Sequence, residues 1–231
     1  MNDTGRRIRE QYVDTGGFTD QVFATCSLLG HRFVPRIRNL PSKKFYVFDK
    51  KSAPKAVRPL IAANIKEELI ERQWPDVVRL IASIVTQRVV PSQMLRTLSS
   101  FSRQNELAFA LREIGRIERT IFILQWIRNT DLQRRAQIGL NKGEAHHALK
   151  RALNFNRNGE IRDRATENQH YRMLGLNLLT AIVIYWNTKH LGKLMKEMEE
   201  QGKDVTPELK SHVSPLGWEH IILAEYLWKN P

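Results

Sequence analysis

The sequence holds a single cysteine, Cys26, among 231 residues. A lone thiol excludes an internal disulfide and fits a reducing compartment. Its setting in the apolar run VFATCSLLG points to a packed small side chain rather than a reactive group. Long hydrophobic runs are missing too. The most apolar stretch, MLGLNLLTAIVIYW (173–186), includes Asn177 and is too short for a bilayer, so a buried helix and no membrane partner are expected. The N-terminus MNDTGRRIREQ is polar and lacks the apolar core of a secretion signal. No GxxxxGK[ST] loop is present for nucleotide hydrolysis, and no GxSxG for acyl transfer. One cysteine and scattered histidines offer no closed zinc site. His146 and His147 are adjacent, so on a helix they diverge by about 100° and are expected to be exposed or to face a polyanion.

Acidic residues are the other shortage. There are 24 against 37 Lys and Arg, giving a net charge of +13 and an isoelectric point near 10.1. The excess is segregated: residues 1–60 carry a net +7 and residues 103–172 a net +6, while 61–102 and 173–231 are nearly neutral. Solubility alone does not require such blocks, whereas two surfaces converging on one phosphate backbone would.

What is present reads as a few strands followed by much helix. REQYVDT (9–15) is extended in character and ends at Gly16-Gly17. Phe18, Val22, Phe23, Cys26 and Leu29 then recur at helical spacing until Gly30. HRFVPRIRNL and KFYVFD (44–49) read as further strands, and KKSAPKAVRP (50–59) as a linker. Beyond it the periodicity predicts helices over 61–72, 75–88, 92–101, 103–128, 130–138, 142–156, 163–199 and 207–213. Strands interrupted by a long helical segment suggest a helical insertion, 52–138, in a layered core made of 1–51 and 139–231.

Two carboxylates stand out, each with two readings. Asp14, at the end of a strand before two glycines, suits a rigid ligand for a hard cation, though an ordinary turn residue is the plainer reading of Asp before Gly. Glu144 in GLNKGEAHHALKRALNF falls at the first turn of the expected helix 142–156. There a helix dipole stabilises an acid by about 0.3–1 kcal/mol with no function attached. However, Glu144, Ala148 and Arg151 share one stripe, with His147 beside them and the apolar Leu149, Ala152 and Leu153 adjacent. An acid at that border can hold a cation while the arginine meets a neighbouring phosphate. Glu160 and Asp163, alternating with Arg157, Arg162 and Arg164, read as an ion-pair network facing solvent or phosphate, with Glu160 a rival for Glu144.

Read in order, YVDTGGFTDQVFATCSLLGHRFVPRIRNL, SRQNELAFALREIGRIERTIFILQWI, GLNKGEAHHALKRALNFNRNGEIRDR, ENQHYRMLGLNLLTAIVIYWNT and SPLGWEHI resemble the C-terminal part of Tn-three family transposases, the DDE recombinases of replicative bacterial transposons. The resemblance covers nearly the whole chain. It implies an α/β, helix-dominated fold: a partial RNase H-like core interrupted by an all-α insertion, with C-terminal helices. It also implies DNA cleavage and strand transfer at transposon ends, with two Mg²⁺ ions about 3.5–4 Å apart activating the attacking oxygen and stabilising the leaving one. Asp14 and Glu144 match two of the family's three metal-binding carboxylates. Lys142, His147, Lys150, Arg151, Arg157, Arg162 and Arg164 are the expected DNA contacts.

The sequence also departs from the family pattern. The family's first aspartate lies on an earlier strand, and only 13 residues precede Asp14 here; Asp3, in MNDTG, is no substitute. His146 and His147 stand where the family commonly has Arg and Asn. A truncated transposase is therefore expected, bacterial, cytoplasmic and nucleoid-associated, with no strand cleavage alone and an incomplete core prone to aggregation. Its partners would be transposon-end and target DNA, a second copy, or a full-length transposase whose assembly it could poison. A scaffold with incidental basic blocks is the remaining class, and steep salt dependence of DNA affinity separates it from the others.

Overall fold

A computed structural model describes residues 9–100, 105–154 and 160–221, divided into two compact units, residues 1–140 and 141–231. In the first, strand β1 (Glu10–Val13) leads through helix α1 (Asp20–Leu28) to β2 (Arg32–Pro35), and the two strands pair in parallel with Val13 opposite Pro35. Thr19 caps α1 by accepting the Val22 N–H, and Gly30 takes the left-handed φ of 73° that lets the chain reverse beyond it. β3 (Phe45–Val47) pairs in parallel with β4 (Ile61–Asn64), a second two-stranded sheet with an irregularity between Phe45 and Tyr46.

Helices follow: α2 (Glu67–Val85), α3 (Pro91–Ser100) and α4 (Glu106–Arg128). α4 is the element on which this unit is built. Its C-terminal half places Phe122, Ile123 and Trp126 in a core with Phe23, Phe33, Val34, Phe45 and Ile61. Its N-terminal half places Ala108, Ala110, Leu111 and Ile114 in a second core with Ala24, Val77, Ile84, Met94 and Leu98. Phe23 joins strand and helix at the centre, its ring 4.9 Å from that of Phe33 and 5.5 Å from that of Phe122.

α1 meets α4 at Gly115, where a Cβ would lie 1.7 Å from the Asp20 carbonyl oxygen, so no side chain fits. Charges surround this contact. Arg119 pairs with Asp20 at 2.6 Å, and the Arg116 guanidinium lies 4.5 Å from the Tyr46 ring centroid. Burial pushes the Asp20 carboxyl up, against the pull of Arg119, Arg116 and Arg112. Glu113 is buried, pairs with Arg116 at 2.5 Å and accepts the Lys66 N–H at 3.4 Å where α2 begins.

α5 (Thr130–Leu153) leaves the first unit and enters the second, which also contains α6 (Thr166–Glu200) and α7 (Pro207–His212). The Asn187 side chain is buried on α6 and donates to the Pro215 and Gly217 carbonyls at 2.8 and 2.9 Å, holding the SPLGW turn. Trp186 beside it stacks on His190 and His220, with ring centroids 4.9 and 5.3 Å away.

Three boundaries differ from the periodicity. Residues 61–64 form strand β4 rather than the start of a helix, because Ile61 and its neighbours pair with β3. Pro75 does not divide 67–85; it sits inside α2, where its cost of about 3 kcal/mol is met by burial of Val77 and Ile84 on the same helix. The segments 130–138 and 142–156 are one helix, α5, continuous through Gly139 and Gly143. Among the described residues the fold is helix-dominated with four short strands, compatible with an α/β class.

Candidate functional site

Asp14 follows β1 directly and caps a 3-10 turn, Thr15–Gly17. Its Oδ1 accepts the Thr15 N–H at 2.6 Å, and its carbonyl accepts the Gly17 N–H at 3.0 Å. Gly17 closes the turn because a Cβ there would meet Val13 Cγ2 at 2.9 Å. The carboxylate is exposed and fixed at the C-terminal end of a parallel strand pair, where open α/β sheets present their ligand groups. The Thr15 amide holds its carboxyl below the ordinary carboxylate value, and the charges of Arg36 and Arg38 add to this. Asp14 is thus a rigid, ionised oxygen donor at neutral pH. The turn and the ligand readings of Asp14 describe the same geometry.

Glu144 lies on α5, exposed, fourteen residues beyond its first residue. It is not a first-turn acid, so the helix-dipole account of its placement fails: the field falls off within one turn. Leu149 is fully buried one and a half turns on, while Lys142, His147 and Arg151 are exposed, which keeps Glu144 on the border between apolar and solvent faces. Lys150 is engaged, donating to Asn177 Oδ1 at 2.6 Å and tying α5 to α6. His146 is half-buried rather than exposed. Burial, with Lys150 and His147 nearby, pushes its pKa down and keeps the ring neutral at neutral pH. Arg162 pairs with Glu160, and Asp163 pairs with Arg172 at 2.7 Å. Arg164 is exposed, and Arg157 and Asp3 lie outside the described residues.

Asp14 belongs to the first unit and Glu144 to the second. Each offers carboxylate oxygen, the donor that Mg²⁺ prefers. Among the described residues no cluster of three or more His, Cys, Asp or Glu groups is placed to hold a metal ion. Cys26 is half-buried against the first core and burial pushes its thiol up, away from reactivity. No helix among the described residues is long and apolar enough to cross a membrane.

Arg36 and Arg38 were not singled out by sequence, yet they are the cations that bear on Asp14. The signal was the basic alternation in VPRIR immediately after a strand, which gains meaning only once that strand is known to pair in parallel with β1.

Comparison with known proteins gives the class. The Tn3 transposase DDE domain matches residues 1–224, and the chain belongs to that family. Among its relatives, the transposase for transposon Tn501 of Pseudomonas aeruginosa is 50% identical over 230 residues, covering 99% of this chain and 23% of the relative. The transposase for transposon Tn21 of Escherichia coli is 48% identical, with the same two coverages. The transposase for transposon gamma-delta of Escherichia coli K12 is 31% identical over 229 residues, again 99% of this chain and 23% of the relative. The chain spans about a quarter of the length of these curated relatives. No solved structure matches it.

Proposed function

We propose that this chain is the catalytic-domain segment of a transposase that moves DNA by phosphodiester cleavage and strand transfer at transposon ends. The observation that carries the reading is the family match over residues 1–224, which includes both Asp14 and Glu144. Asp14 and Glu144 are two ligands of a divalent-metal site, and Lys142, His147, Lys150, Arg151, Arg157, Arg162 and Arg164 contact the DNA. The core is RNase H-like, with 52–138 a helical insertion between 1–51 and 139–231.

Each carboxylate is available as an oxygen donor. Asp14 is held ionised at a strand end by the Thr15 amide, and Glu144 is exposed on α5. A bound metal pair would polarise the scissile phosphate and activate the attacking oxygen. The protein groups hold the ions by carboxylate oxygen, neutralise the flanking phosphates with guanidinium and ammonium, and keep the strand in register.

The chain binds DNA through its basic blocks, and by that binding it would compete with a full-length transposase. Nicking of transposon-end DNA in Mg²⁺ or Mn²⁺ is the direct test: any metal-dependent nicking is expected to be lost in Glu144→Gln, and nicking that survives the substitution would overturn the role of Glu144. The metal assignment has a separate readout. Mn²⁺ is expected to raise DNA affinity in the parent chain and not in Asp14→Asn or Glu144→Gln, and an unchanged Mn²⁺ effect in both variants would remove the assignment.

A further inference from the structure

The cations beside Asp14 have no task in the account above. β1 and β2 run in parallel with Val13 opposite Pro35, so Asp14 and Arg36 are the first residues beyond the paired strands, side by side at one end. The Arg36 N–H donates to the Val13 carbonyl at 2.9 Å, which fixes this neighbourhood through the backbone. Ile37 is buried between Arg36 and Arg38, so both guanidiniums face away from the core. Phe18 closes the turn that Asp14 caps, and the Lys43 ammonium lies 4.6 Å from the Phe18 ring centroid.

Position beside the Asp14 turn, with no carboxylate already bound in an ion pair, is what Arg36, Arg38 and Lys43 share. Arg32 and Arg135, by contrast, are bound to Glu10, Arg116 to Glu113, and Arg119 to Asp20. Among the described residues Arg36, Arg38 and Lys43 form no ion pair within 4 Å. A single exposed carboxylate repels a phosphodiester; the charges of Arg36 and Arg38 that act on Asp14, with Lys43 over the ring that closes its turn, reverse the sign of the local field. Guanidinium forks and an ammonium anchored over a ring are groups that grip phosphate oxygens without reading base sequence.

We propose that Arg36, Arg38 and Lys43 form a phosphate-gripping track that holds the backbone of a DNA strand beside Asp14. The identity of the strand as DNA rests on the transposase reading. The track itself rests on the parallel register, the turn and the unpaired cations. It contributes positioning and affinity, and it acts without metal.

The test is fluorescence anisotropy of a labelled DNA duplex of arbitrary sequence, in EDTA, between about 50 and about 200 mM salt. Each of Arg36→Gln, Arg38→Gln and Lys43→Gln is expected to flatten the slope of log affinity against log salt by about 1, and the triple variant by about 3. Arg96→Gln, exposed on α3, serves as the control and leaves the slope unchanged. Thermal melts identify any variant that fails to fold, and Arg38→Gln and Lys43→Gln decide the matter if Arg36→Gln does. A parent slope that falls with Lys142→Gln and Arg151→Gln but not with the three track variants overturns the track alone. A parent chain with no salt-sensitive binding overturns the transposase reading and the track together.

Discussion

The Glu10 carboxylate receives the Tyr12 hydroxyl at 2.5 Å, Arg32 at 3.0 Å and Arg135 at 3.2 Å, joining β1, β2 and α5. Burial works to raise its pKa, but the Tyr12 hydroxyl, Arg135 and Arg32 outweigh it and hold the carboxyl below its ordinary value of 4.5. The folded form therefore binds this proton less readily than the unfolded chain. Its contribution to stability is complete above about pH 4.5 and is lost as pH falls through the lower folded value. Glu10→Gln is expected to cost about 1 kcal/mol at neutral pH, a figure reduced for the half-exposed arginines. The difference between the two melting curves should shrink below pH 4.5, as thermal melts across a pH series would show. A second residue-scale expectation follows from Gly115, which has no room for a Cβ against the Asp20 carbonyl. Gly115→Ala is expected to cost about 3 kcal/mol or to prevent folding, read from a urea midpoint.

At the scale of elements, α5 carries two glycines one turn apart with opposite requirements. Gly139 lies against the Tyr12 ring, where a Cβ would approach to 2.4 Å, while nothing lies within 4 Å of the Cβ position at Gly143. Gly143→Ala is expected to stabilise the chain by about 1 kcal/mol through helix propensity alone, and Gly139→Ala to destabilise it by about 1–3 kcal/mol through the clash. Denaturant midpoints of the two variants moving in opposite directions would check both. The same helix shows why part of the fold was legible and part was not. The glycines, with Asn141 between them, read as a break because propensity is local, yet α5 is held across that region by Leu132, Ala136 and Leu149, all buried. A break there puts Glu144 in a first turn, which the continuous helix does not. Strand β4 was missed for the reciprocal reason: IAAN has no alternation of its own and is a strand only because β3 pairs with it. Asp14 was legible, since strand, aspartate and two glycines are contiguous. Arg36 and Arg38 were not, because their relation to Asp14 is made by pairing across the sheet rather than along the chain.

At the scale of the whole molecule, the distribution of core is uneven. Both hydrophobic clusters consist of residues up to Ala136 and so belong to the first unit. In the second, α6 leaves more than half of each of Tyr171, Leu174, Leu178, Ile182 and Tyr185 exposed, at three- and four-residue spacing along one stripe. Together these five side chains present roughly 500 Å² of apolar surface, toward the upper end of what a monomeric protein displays. The stretch MLGLNLLTAIVIYW, read as a buried helix, is therefore a helix whose apolar side is mostly uncovered, because apolar composition specifies a need for burial and not the surface that meets it. Binding of the dye ANS is the measurement: strong fluorescence is expected for the parent and a clear reduction for Leu174→Glu with Leu178→Glu. Stability is expected to change by less than about 0.5 kcal/mol in that double variant, since neither side chain contributes to a core. A parent chain that binds no dye, or a double variant that unfolds, would show the stripe to be covered.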